Sequence, residues 1–119
     1  MKKIYVVEDD QGIREVLEVF LGLENFEVQS FASVSEFKKR DTASHPDLYL
    51  FDVRLPDGSG TDLCQHVKSI RGSKSIPVIM MSAHASVQDI SLRCSPDDII
   101  PKPFDIVVLL ERIRAVLKI

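Results

Sequence analysis

Five short apolar runs recur along this chain of 119 residues, each followed by an amphipathic stretch or a polar loop. That alternation constrains the fold more than any other feature, because strands feeding helices in turn are the mark of an α/β protein built on a parallel sheet. Residues 4–7 form a continuous apolar run rich in β-branched side chains, as expected of a central strand covered on both faces. Ile13, Val16, Leu17, Phe20 and Leu21 follow at spacings of three and four, which puts all five on one helical face and leaves Arg14, Glu15 and Glu18 toward water. Residues 27–31 alternate polar and apolar like a strand near a sheet edge, and Ser33 with Glu36 has the form of a capping box, so a second helix is expected from about Val34.

Residues 48–51 give a third, buried strand that ends at Asp52. Leu55-Pro56-Asp57-Gly58 reads as a turn, and a helix from about Thr61 carries Leu63, Val67 and Ile70 inward. Pro77 opens a fourth strand, residues 78–81, that ends at Ser82, and a very short fifth, residues 99–101, ends at Lys102. Ile106, Leu109, Leu110, Ile113, Val116 and Leu117 repeat at helical spacing and close the chain. With no internal repeat, Gly/Ser linker or second periodic block, residues 1–119 are expected to form a single domain that carries no effector domain of its own.

Composition narrows the function. A chain of this length buries one core without needing disulfides or structural metal. Its two cysteines, Cys64 and Cys94, lack the number and spacing of a disulfide framework or zinc site, so they are expected to be reduced and structural, which points to the cytoplasm. The run after Met1-Lys2-Lys3 is too short for a signal peptide or a membrane span. A net charge of −3 lacks the basic footprint of direct nucleic-acid binding.

The polar residues fall at strand ends. In open parallel sheets, ligands bind beyond the carboxyl ends of the strands where strand order reverses, and Glu8, Asp9, Asp52, Ser82 and Lys102 all sit at such ends. Carboxylates gathered there repel one another unless a cation intervenes, and an oxygen-only ligand set favours a hard ion, Mg²⁺. For Glu8, Asp9 and Asp10 taken alone, a solvated or helix-capping cluster is an equal reading, since acidic residues are favoured at helix N-termini. Asp52 follows four apolar residues, where a carboxylate is costly to desolvate without a partner or a task. Attack on a phosphoryl group is one such task, and Lys102 and Ser82 are suited to neutralising and contacting the transferred oxygens.

Through VVEDD, LFDVRLPDGSG, VIMMSAH and PKPF, in order along the whole chain, the sequence resembles the receiver domains of two-component response regulators. The resemblance implies a flavodoxin-like fold of five parallel strands in 2-1-3-4-5 order with helices on both faces. It implies Asp52 as phosphoacceptor, with Glu8 and Asp9 as the acidic pair and Mg²⁺ held by Asp9, Asp52 and the backbone carbonyl of Arg54. Ser82 would turn its hydroxyl toward the phosphoryl group, Lys102 would pair with it, and Lys102-Pro103 would be a cis bond. Arg54 and His84 would border the phosphoryl group and tune its lifetime, while Pro56 and Gly60 would shape a tight loop. The implied partners are a sensor histidine kinase or phosphotransfer protein and a downstream effector, the domain itself being a regulatory phosphoacceptor rather than an enzyme, monomeric or weakly dimeric.

Two departures qualify the pattern. Ile99 stands where receivers usually carry Phe or Tyr as a rotating switch, and the stretch between Ser82 and Lys102 is short, with Ser95-Pro96-Asp97-Asp98 in place of a small-residue turn. A short helix ending by about Arg93 or Cys94 is expected there. These departures leave room for a phosphorylation-independent interaction module. A haloacid-dehalogenase-like hydrolase would need a second aspartate where Arg54 stands, and a nucleotide binder would need a phosphate cradle where Glu8-Asp9-Asp10 would repel phosphate.

Overall fold

The computed structural model describes residues 1–70, 72–73, 75–83 and 94–119. In chain order these residues form β1 (Lys2–Val7), α1 (Gln11–Leu23), β2 (Phe26–Phe31), α2 (Val34–Lys38) and β3 (Leu48–Asp52). There follow β4 (Arg54–Leu55), β5 (Gly58–Ser59), α3 (Gly60–Ser69), β6 (Val78–Ser82), β7 (Asp98–Pro101) and α4 (Ile106–Leu117). Five parallel strands make one sheet in the order β2-β1-β3-β6-β7, which is the expected 2-1-3-4-5 once the small β4–β5 hairpin is set aside.

Alternation along the strands sends odd and even residues to opposite faces, and each face is covered by helices. Tyr5, Val7, Tyr49, Phe51, Val78 and Met80 pack under α2 and α3 with Phe37, Leu63, Cys64 and Val67. Ile4, Val6, Leu48, Leu50, Ile79 and Met81 pack under α1 and α4 with Leu17, Leu21, Leu109 and Ile113. On the first face Phe37 meets Phe31, Tyr49 and Phe51 edge-on at centroid distances of 5.3, 6.0 and 5.4 Å. Each such pair adds about 0.5–1.5 kcal/mol beyond the area it buries.

Helix starts follow side-chain chemistry. Ser33 accepts from the Glu36 N–H at 3.1 Å, as the capping-box reading expects, and α2 begins at Val34. Ser59 does the same for Asp62 at the start of α3, and Asp105 caps α4. The turn at Leu55-Pro56-Asp57-Gly58 is the tip of the hairpin, whose Asp57 carboxylate accepts from the Val34 and Ser35 N–H groups, each at 2.9 Å.

Three expectations need correction. Val16 is 55% exposed rather than buried, because it lies at the margin of the α1 stripe and faces a groove, not the sheet. Arg14 does not point to water: its guanidinium folds back to the carbonyls of Glu8 and Asp9 at 2.8 and 2.9 Å. Cys64 and Cys94 are joined as a disulfide, not reduced and separate. Their separation of 30 residues gave no sequence motif, yet packing of α3 beside the chain that returns to β7 brings their Cα atoms to 6.2 Å. The expected short helix ending near Arg93 or Cys94 lies outside the described residues.

Candidate functional site

The site is a product of register. Phe51 pairs with Val7 and Met80, Asp52 with Met81, and Ser82 with Pro101, so Glu8, Asp52, Ser82 and Lys102 emerge together at the carboxyl rim. The Glu8 N–H still donates to the Phe31 carbonyl at 3.0 Å, and the Lys102 N–H to the Ser82 carbonyl at 2.8 Å, so both backbones are fixed by the ladder itself. Glu8, Asp52 and Ser82 are buried, Lys102 is half-buried and Asp9 is exposed.

Lys102 reaches between the two buried carboxylates, its Nζ donating to Glu8 Oε1 at 2.5 Å and to Asp52 Oδ2 at 2.9 Å. Burial pushes the Glu8 carboxyl up to about 8, helped by its hydrogen bond to Asp52 and against the pull of Lys102. Burial alone would push the Lys102 ammonium down, but hydrogen bonds to Glu8 and Asp52 outweigh it and hold it above the usual lysine value. One lysine thus faces two acids, and the balance is incomplete: Glu8 Oε2 is buried without a hydrogen-bond partner.

Carboxylate oxygens of Glu8, Asp9 and Asp52 lie within 4.8 Å of one another. An orphaned buried oxygen inside an all-carboxylate cluster fits a hard divalent ion, which the chemistry of the donors favours over a softer one. Asp10 takes the other role that acidic residues have at a helix start. Its Oδ1 caps α1 by accepting from the Ile13 N–H at 3.0 Å, so the capping and ligand readings divide between neighbouring residues.

Below Asp52 the chain turns through the hairpin and returns at Gly60, whose N–H donates to the Val53 carbonyl at 2.8 Å. A Cβ at Gly60 would collide with the Asp52 carbonyl and crowd Met80, so only glycine lets α3 start this close to the rim.

A model of the response regulator receiver domain matches residues 4–114. The chain belongs to that family. Curated relatives of this receiver include the transcriptional regulatory protein GltR of Pseudomonas aeruginosa, 36% identical over 119 residues that cover 98% of this chain and 49% of the relative. The response regulator ArlR of Staphylococcus aureus is 35% identical over 120 residues, covering 99% and 53%. The receiver therefore spans about half the length of the curated relatives it matches. Among solved structures, a CheY-like receiver domain protein of Methanospirillum hungatei superposes with a TM-score of 0.90 at 32% identity, covering 99% of this chain and 94% of that one. TrrA of Thermotoga maritima, solved in complex with Mg²⁺-BeF, gives 0.82 at 25% identity, covering 98% and 99%.

The receiver brings together Glu8, Asp9, Asp52, Ser82 and Lys102 as the strand-end reading expects. The Lys102-Pro103 bond is cis. Arg54 opens the hairpin with its side chain exposed, and Ile99 is half-buried beside the aromatic layer, in register with Met80. His84 lies outside the described residues. Sequence reasoning missed Arg14, whose helical position reads as solvent-facing. Only the length of its side chain lets it cross the first turn and fix the acidic loop from behind.

Proposed function

We propose that Asp52 of this receiver accepts a phosphoryl group from a phosphohistidine on a sensor histidine kinase or phosphotransfer protein. The reading rests on one observation above all: Lys102 Nζ is 2.9 Å from Asp52 Oδ2, beside two further carboxylates that call for a cation. Glu8, Asp9, Asp52 and the backbone carbonyl of Arg54 would hold Mg²⁺. When bound, that ion supplies positive charge to the acidic cluster and to the transferred oxygens.

The chain's own residues divide the remaining work. With Oδ2 held by Lys102, Asp52 Oδ1 attacks phosphorus, an O–P bond forms, and the P–N bond to the donor imidazole breaks with its electrons returning to nitrogen. Lys102 follows the new negative charge, exchanging a carboxylate for a phosphoryl oxygen. Ser82 donates its hydroxyl to another, while Arg54, exposed at the start of the hairpin, sets how readily water reaches the group, a role that the family resemblance extends to His84. Arg14 acts as a positioning residue through the carbonyls of Glu8 and Asp9. Altered contacts at Ser82 and Lys102 then bias the surface around Ile99, which a downstream effector reads.

This is regulation rather than turnover, carried by residues 1–119 acting as one receiver unit. An apolar groove of about 670 Å³ between α1 and residues 102–104 opens beside Lys102 and supports approach of a protein donor. No helix among the described residues is long and apolar enough to cross a membrane, and receiver membership supports a cytoplasmic setting. Incubation with an acyl phosphate donor and Mg²⁺ tests the assignment: wild type takes up label that Asp52→Ala does not. Equal labelling of the two proteins would remove Asp52 as acceptor.

A further inference from the structure

Asp57, at the tip of the β4–β5 hairpin, turns its carboxylate to another element. Its Oδ1 accepts from the Val34 N–H and its Oδ2 from the Ser35 N–H, each at 2.9 Å. These are the first two donors of α2, which the helix's own cap leaves open, since Ser33 serves the Glu36 N–H through its hydroxyl and the Phe37 N–H through its carbonyl. A second contact lies beside the first: a Cβ at Gly58 would come within 3.0 Å of Val34 Cγ2, so the backbone of the tip is seated directly against that side chain. The Ser35 and Val34 N–H groups hold the Asp57 carboxyl below the ordinary aspartate value, and it accepts from both as the anion.

The hairpin needs such a hold. Its strands have two residues each, pairing Arg54 with Ser59 and Leu55 with Gly58, and a ribbon this short does not keep its own shape in water. Its root is fixed by the Gly60 N–H on the Val53 carbonyl at 2.8 Å, Leu55 is buried in the aromatic layer, and the tip is fixed to α2. The far end of this tether is equally firm, because α2 closely follows β2, whose Phe31 carbonyl accepts from the Glu8 N–H at 3.0 Å. Fixed contacts thus run around the rim from Glu8, through the end of β2 and the start of α2, to the hairpin that carries Arg54.

We propose that Asp57 is a positioning residue for Mg²⁺ binding: by tying the hairpin to α2 it holds the Arg54 backbone carbonyl in place relative to the end of β1, which carries Glu8 and Asp9. The inference rests on the assignment of the ion to Glu8, Asp9, Asp52 and the Arg54 carbonyl. Carboxylates adjust to a cation through their own rotamers, whereas a backbone carbonyl moves only with its chain, so this is the ligand whose position depends on the tether. Without the tether the ion must order the hairpin as it binds, which lowers its affinity but leaves Asp52 able to react once the site is filled. By linkage, the ion firms the tether by the same factor as the tether strengthens binding of the ion.

Mg²⁺ alone is titrated calorimetrically into the full chain, and Asp52 is labelled with an acyl phosphate at saturating Mg²⁺. Asp57→Ala is expected to weaken Mg²⁺ binding about tenfold, as loss of a group that orients a ligand does. Its labelling at saturating Mg²⁺ should stay within about twofold of wild type. Asp57→Asn, which keeps one acceptor oxygen, should fall between. Ser33→Ala removes the cap from the same helix start without touching the hairpin, and should bind Mg²⁺ as wild type does. In wild type, amide exchange at Val34 and Ser35 should slow about tenfold when Mg²⁺ saturates the site. Equal Mg²⁺ affinity for wild type and Asp57→Ala, with Asp52 still labelled, would overturn the tether and leave the phosphoacceptor reading standing. So would equal weakening by Ser33→Ala, or exchange at Val34 and Ser35 that Mg²⁺ does not move. A wild type that binds no Mg²⁺ would overturn the metal assignment and the tether together.

Discussion

Two lysines sit among carboxylates at opposite ends of the same sheet, and chemistry treats them differently. Lys3, at the start of β1, lies 3.9 Å from Glu27, whose side chain is 61% exposed, and also donates to Ser44 at 3.2 Å. Lys102, beyond the end of β7, lies between Glu8 and Asp52, with side-chain exposures of 0% and 8%. Water screens the first pair, so it steadies an edge and little more. The second is withdrawn from water, where losing one partner leaves the others uncompensated and where a change of charge is felt by every neighbour. Identical residue types therefore make scaffold at one end and a responsive site at the other, and burial decides which.

The largest difference is expected in chemistry. Lys102→Ala should slow acyl-phosphate labelling of Asp52 by about a hundredfold or more, as removal of a charge-stabilising donor does. Lys3→Ala should leave that rate within about twofold, since exposed pairs act weakly beyond their immediate contact. Similar rates for the two variants, read by phosphoprotein mass, would erase the contrast.

A second effect is expected in the pH dependence of stability. The folded protein holds the Glu8 proton up to about 8 against 4.5 for an ordinary glutamate, so the native state binds that proton more tightly than the unfolded chain does. Glu8 therefore contributes stability that is complete below 4.5 and is lost as pH rises through about 8. In a chelator, Tm should fall across that window. Glu8→Gln should flatten the slope, and Mg²⁺ should restore most of the loss at the alkaline end by taking the place of the proton. A slope that Glu8→Gln leaves unchanged would assign it to another group.

The smallest effects belong to the other end of the sheet. Asp47 Oδ2 accepts from the Lys3 N–H at 2.7 Å, so Asp47→Ala should cost about 1.5–3 kcal/mol, the range for a bond to a charged group. Lys3→Ala should cost less than about 1 kcal/mol, and salt should reduce it further. Urea titrations that reverse this ranking would show that the side chain of Lys3, not its backbone, secures the start of β1.

The fold was legible because strand burial writes itself into composition. Residues 48–51 are apolar throughout since both faces of β3 are covered, while the edge position of β2 leaves Glu27 and Gln29 exposed between half-buried or buried neighbours. The rim was legible for a related reason: a polar residue directly after such a run must leave the core at a defined height. Contacts that depend on reach or on distant packing were not. Arg14 occupies an outward helical position and returns only through its long side chain. Val16 obeys the helical period but lies beyond the edge of what the sheet can cover. The Asp57 carboxylate looks like part of a simple turn, although its hydrogen bonds lie 22 and 23 residues away in α2. Cys64 and Cys94 meet only because α3 and the return to β7 share one face.

Gly60 joins these regions mechanically. Helix α3 begins in direct backbone contact with the carbonyl of Asp52, with no side chain between them to absorb displacement. One turn farther along the same helix is Cys64. The first turn of the helix is thereby indexed to the backbone of Asp52, so the height of α3 on the sheet and the position of that residue are set together. A single added methyl at residue 60 would force the two apart.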